Sequence, residues 1–111
     1  MDIKFASNKL KKTFNEEKEL ARTYGQLAQK IKLRMNVLRN APNLNHVPIE
    51  RPDRCHLLKA DKKGQFAVDL IHPYRLVFKP TQSPPPMKND DEIDKEKVVS
   101  ITIIEVVNYH D

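Results

Sequence analysis

Cys55 is the only cysteine in the 111 residues. A lone thiol cannot close an intramolecular disulfide, and it excludes a zinc site built on several thiolates. Glycine is nearly as scarce, with Gly25 and Gly64 alone, so no glycine-rich loop can cradle a phosphate. No window approaches the roughly 20 consecutive apolar residues that a membrane-spanning helix needs. The opening Met1-Asp2-Ile3-Lys4-Phe5-Ala6-Ser7 lacks the basic stretch and apolar block of a secretory signal. The histidines, His46, His56, His72 and His110, show no pair at i, i+4 on a helix, and Cys55 and His56 alternate across a strand. Neither a metal nor a small-molecule cofactor is expected, no membrane contact is expected, and the expected compartment is the cytoplasm.

What the chain has is positive charge. Twenty Lys and Arg stand against fifteen Asp and Glu, a net +5. The surplus lies in the first 79 residues, while residues 88–97 carry three basic side chains against five acidic ones. A basic balance of this kind favours polyanionic partners through phosphate contacts.

The length suits one domain over residues 1–111. Asp2–Phe5 reads as a short strand, and Ser7 can cap a helix that opens at Asn8. Asn15, Glu16 and Glu17 offer a second helix start, because acids suit the positive end of the helix dipole. Leu20, Tyr24, Leu27, Ile31, Met35 and Leu38 then recur in steps of three and four, which marks one buried helical stripe. Gly25 should break that run into two antiparallel helices, and the second should stop before Pro42. Lys30, Lys32, Arg34 and Arg39 fall off the stripe and should face water or a partner.

Beyond the Asn- and Pro-rich connector the period becomes alternating. Residues 54–59 and 65–71 flank Asp61-Lys62-Lys63-Gly64, a turn in which glycine can take positive φ and close a hairpin. Tyr74–Phe78 reads as the next strand, with Arg75 and Val77 on the face opposite Tyr74, Leu76 and Phe78. Residues 98–107 are apolar at almost every position, as expected for a strand buried on both faces in the middle of a sheet. Residues 80–97 combine four prolines with an acidic run and read as a flexible insertion.

Arg75, on a strand and pointing to the open face, is the first candidate for chemistry. His56 and Lys59 lie around the first strand of the hairpin, and Asn108, Tyr109 and His110 follow the last strand directly. Cys55 reads as a small core residue, since an activated thiolate needs an electropositive pocket.

Three stretches, residues 54–66, Pro73-Tyr74-Arg75-Leu76-Val77-Phe78 and Asn108-Tyr109-His110, together resemble the HigB-like killer proteins of plasmid maintenance systems, in the RelE/ParE toxin superfamily. The resemblance spans nearly the whole chain, with the Pro-rich segment as its variable part. It implies an α+β, RelE-like fold: two N-terminal helices packed on a curved, mostly antiparallel sheet of four to five strands. It implies a type II toxin that cleaves messenger RNA on the ribosome and inhibits translation, neutralised by a cognate helix-turn-helix antitoxin. Arg75, His110, Tyr109, Lys59 and His56 match positions implicated there in RNA contact or cleavage, and Arg54, Lys62, Lys63 and Asn108 are expected to bind RNA. Asn108, Ala60 and Ile71 depart from the family pattern. Asn108 and Ala60 leave room for an inactive relative that only binds ribosome or antitoxin; a second alternative is a non-catalytic toxin of the ParE branch that inhibits gyrase, against which Lys59, Arg75, Tyr109 and His110 argue together.

Three functions are needed for cleavage by the RNA 2′-hydroxyl without a metal: a base, an acid for the leaving oxygen, and a cation on the phosphate. An imidazole such as that of His110 exchanges a proton near neutrality, and the planar fork of Arg75 suits phosphate oxygens. Lys59 can add charge or act as base, and Tyr109 can stack on a base or relay a proton. The sequence does not assign base and acid.

Overall fold

A computed structural model describes residues 1–59 and 62–108. Ser7 caps α1 (Asn8–Asn15) by accepting the Leu10 N–H at 3.1 Å, which satisfies one of the donors that every helix start leaves open. Glu16 leaves the helical region, at φ −110° and ψ 116°, and α2 (Glu17–Tyr24) starts with Glu17 and Glu19 in its first turn. Gly25 takes φ +54°, which only glycine accepts cheaply, and ends α2. A short 3₁₀ turn, Gly25–Leu27, leads into α3 (Ala28–Asn40), and Ala41 turns extended ahead of Pro42. The helical half thus has three segments, interrupted at Glu16 and at Gly25 as the second helix start and the glycine suggested, where the family resemblance implied two helices.

The sheet has the order β1-β5-β4-β3-β2, formed by β1 (Asp2–Phe5), β2 (His56–Leu57), β3 (Phe66–Asp69), β4 (Tyr74–Pro80) and β5 (Ser100–Asn108). Among the described residues only β1 and β5 run parallel; the other pairs are antiparallel. The predicted hairpin is present, but its first strand shrinks to His56 and Leu57, and Gly64 in the turn takes φ +83°. The long C-terminal strand lies between β1 and β4, not at the centre; β4, buried at five of seven positions, holds the centre. One face of β5 stays only half-buried, since the helices cover a single side of the sheet.

That covered side is the main core. Leu20, Ile31, Met35 and Leu38 of the predicted stripe pack with Leu76, Phe78, Ile101 and Ile103. Phe66 and Phe78 face each other across β3 and β4 with stacked rings 6.0 Å apart. A bulge at Val77/Phe78 sets Val77 opposite Glu105 and Phe78 opposite Ile103, leaving Ile104 as the extra residue. Ile104 consequently joins Leu58, Ala67, Val77 and Val107 in a smaller apolar cluster on the second face.

The segment over residues 80–97 has structure of its own. Met87 bridges Ile93, the Asp94 N–H bonds the Pro86 carbonyl at 2.9 Å, and Ile93 packs against the main core. Among the described residues no helix is long and apolar enough to cross a membrane.

Candidate functional site

Alternation along β3 and β4 puts Ala67, Asp69, Arg75 and Val77 on the second face, and the register sets Asp69 directly opposite Arg75. Arg75 lies on the predicted face, yet it is only 7% exposed. A guanidinium so deeply placed needs compensation, since burying an unpaired charge is costly. Asp69 supplies it: its Oδ1 lies 3.6 Å from Arg75 Nε. The same carboxylate accepts a two-pronged bond from Arg54, Nε to Oδ2 at 2.6 Å and Nη2 to Oδ1 at 3.0 Å. Two arginines thus share one carboxylate, and Arg54, Lys62 and Arg75 each have further partners.

The backbone of Asp69 is held as firmly. Its N–H donates to the Asp53 carbonyl at 2.8 Å, and its own carbonyl accepts Arg34 Nε at 2.6 Å. Arg34 is therefore buried and turned inward, against the expectation that it faces water or a partner. It also lies 3.6 Å from the buried Asp53 carboxylate. Arg54 sits at φ +45°, a left-handed conformation that disfavours side chains with a Cβ, and the Asp69 bonds hold its fork in place.

These residues line a cavity of about 490 Å³ at the β3–β4 turn. Among the described residues its walls carry Lys30, Arg34, Arg51, Arg54 and Arg75 against one carboxylate, Asp69, with His72 and Tyr74 alongside. This surplus of cations among the described residues makes a pocket suited to a polyanion, and low-dielectric walls strengthen that attraction.

The remaining sequence-predicted residues are spread more widely. His56 pairs with Ala67 on β2, its Nδ1 lying 2.7 Å from the Arg54 carbonyl oxygen. With Lys63 it lines a second cavity, of about 440 Å³, walled by Leu57, Phe66 and Met87. Lys62 bonds Glu105 at 3.0 Å, and Glu105 faces Val77, two residues along β4 from Arg75. Lys59 and Asn108 are exposed, and Asn108 stands opposite Tyr74. Tyr109 and His110 lie outside the described residues. The structure therefore unites Arg75 with Arg54 in one cavity and lines the other with His56 and Lys63. Cys55 is buried, and burial pushes its thiol up to about 11, which favours the protonated form near neutrality.

Arg51 and Asp69 escaped the sequence reading, and Lys30, Arg34 and Tyr74 were placed on their elements but not in the site. A signal existed for two of them. Arg34 stands three residues after Ile31 and four before Leu38, at the border of the buried stripe, and Asp69 is a lone carboxylate in an apolar strand.

No protein family matches the chain by sequence, and no curated protein matches it. Its architecture is α+β, a five-stranded, mostly antiparallel sheet packed against helices. Among solved structures it is similar to the YoeB/ParE toxin from Agrobacterium tumefaciens, with a TM-score of 0.53 and 14% identity over 99% of this chain and 100% of that one. At that identity the likeness shows the fold.

Proposed function

We propose that this chain is the toxin of a type II toxin–antitoxin pair, an endoribonuclease that cuts messenger RNA on the ribosome and belongs with the HigB-like branch. The observation that carries the reading is the buried Arg75, fixed opposite Asp69 in a cavity that the described residues line with five cations and one carboxylate. Such a guanidinium is preorganised for charge developing on a phosphate, where fixed donors act without reorganisation. The toxin-type fold supports the same reading.

In the proposed reaction a base takes the proton of the 2′-hydroxyl, whose oxygen attacks the adjacent phosphorus. The bond to the 5′-oxygen breaks, and an acid protonates that leaving oxygen. The products are a 2′,3′-cyclic phosphate and a 5′-hydroxyl, with no metal in the reaction. Arg75 stabilises the phosphorane charge; His110, Tyr109 and Lys59 are the proton-transfer and charge-supplying groups, with His56 auxiliary. Arg54, Lys62, Lys63 and Asn108 hold the strand. A helix-turn-helix antitoxin neutralises the protein.

Translating ribosomes supplied with the purified protein test this. Cleaved messages with cyclic phosphate or 3′-phosphate ends are expected, and Arg75→Ala should abolish them. Intact messages with inhibited gyrase would favour the ParE-branch reading, and inertness in both assays would favour an inactive relative.

A further inference from the structure

The cations of the Arg75 cavity fall into two sets. Arg34, Arg54 and Arg75 are held on Asp69 and Asp53. The side chains of Lys30 and Arg51 make no hydrogen bond or ion pair among the described residues. Lys30 sits one helical turn before Arg34 on α3, which puts both on the same side of that helix. Arg51 reaches the cavity from the loop ahead of β2 and is exposed. Tyr74, 37% exposed at the first position of β4, lines the same cavity.

A single phosphate at Arg75 leaves Lys30, Arg51 and the ring of Tyr74 without a part in binding. Cations that order no part of the protein, grouped around an open cavity with a half-exposed ring, have the composition of a single-strand binding site. There, phosphate contacts supply affinity and base stacking adds to it. We propose that Lys30 and Arg51 form a second phosphate subsite, which holds a backbone phosphate flanking the one at Arg75, and that Tyr74 stacks on a base of that strand. The ligand class rests on the RNA reading above, but the subsite does not depend on cleavage.

The test uses the full chain and a fluorescent hexanucleotide with 2′-O-methyl sugars, which cannot undergo 2′-hydroxyl attack. Binding is followed by anisotropy across a salt series. Lys30→Ala/Arg51→Ala should weaken binding and make the slope of log K against log salt shallower by about 0.7, the value for one lost phosphate contact on a single strand. Tyr74→Leu should weaken binding roughly 5- to 100-fold with the salt slope unchanged, in the range that stacking energies imply. Lys9→Ala/Lys12→Ala on α1 removes the same charge elsewhere and should leave the slope as it is.

An unchanged slope in Lys30→Ala/Arg51→Ala, an equal change in the α1 variant, or no binding by the unaltered protein would overturn the subsite. A protein that binds the probe in this residue-dependent way yet leaves messages intact on ribosomes keeps the subsite and loses the nuclease reading. One that cleaves but shows no dependence on Lys30 and Arg51 does the reverse.

Discussion

Asp69 and Arg75 face each other across β3 and β4, and the Asp69 carboxylate that lies 3.6 Å from Arg75 Nε also receives both prongs of Arg54. Because the aspartate backbone is tied to Asp53 and Arg34 as well, it is the hub on which the cavity's arginines are oriented. Losing that carboxylate leaves two crowded guanidinium groups without their shared anion. Asp69→Asn should therefore lower stability by about 2 kcal/mol, less than for a fully buried pair because Asp69 is partly exposed. Thermal unfolding checks the stability. Cleavage by the folded fraction should fall as well, and full activity there would remove Asp69 as a positioning residue.

Arg75→Lys keeps the charge and discards the planar fork. A fixed donor of this kind is typically worth about 10²–10³-fold in rate, so the lysine variant should recover little of the activity lost in Arg75→Ala. Single-turnover cleavage of ribosome-bound messages distinguishes the two. Recovery to near the original rate would mean that point charge alone matters.

His110→Ala should remove proton transfer while leaving the basic cavity intact. A general acid or base contributes about 10²–10⁴-fold, so growth arrest on induction should vanish while the purified variant still binds ribosomes and antitoxin. Full toxicity would take His110 out of the mechanism. A melting curve on the same preparation guards against an unfolded variant.

The Pro-rich segment divides into a dispensable part and an anchored one. Replacing residues 89–91, the exposed tip between Lys88 and Glu92, with Asn-Gly should change stability by less than about 1 kcal/mol, as for surface changes generally. Ile93→Ala should cost about 1–2 kcal/mol, because Ile93 packs against the core only in part. Equal costs for both, measured by urea unfolding, would contradict this division.

Cys55 gives the protein an alkaline liability. The folded thiol is raised from 9.0 to about 11 by burial, so between those values the unfolded chain has lost a proton that the folded chain keeps. Stability contributed by this group is complete below about pH 9 and falls as pH rises toward 11, by on the order of 2–3 kcal/mol at most. Cys55→Ala should flatten that part of the profile. Alkylation of native protein at pH 8 should also be slow, and fast labelling would show that the thiol is accessible.

Local chemistry was enough to locate much of the architecture. Ser7, Gly25 and Pro42 mark helix boundaries because caps, positive φ and the residue before proline act within a few bonds of themselves. The stripe from Leu20 to Leu38 and the alternation from Tyr74 to Phe78 identify the core faces, since each period matches its element's geometry. Arg75 was legible for the same reason: strand alternation alone puts it opposite Leu76 and Phe78. The sequence could not say which strand is central, because that depends on pairing between distant segments. β4 took the place expected for β5 once β1 paired with β5 in parallel. Nor could it bring Asp69, Arg54 and Arg34 together, residues 15 to 35 positions apart whose meeting depends on the β3–β4 register and the docking of α3. Periodicity assigns a side chain to a face, but only tertiary packing supplies its partner, and an arginine off the helical stripe is drawn inward when a strand carbonyl and a buried carboxylate lie within its reach.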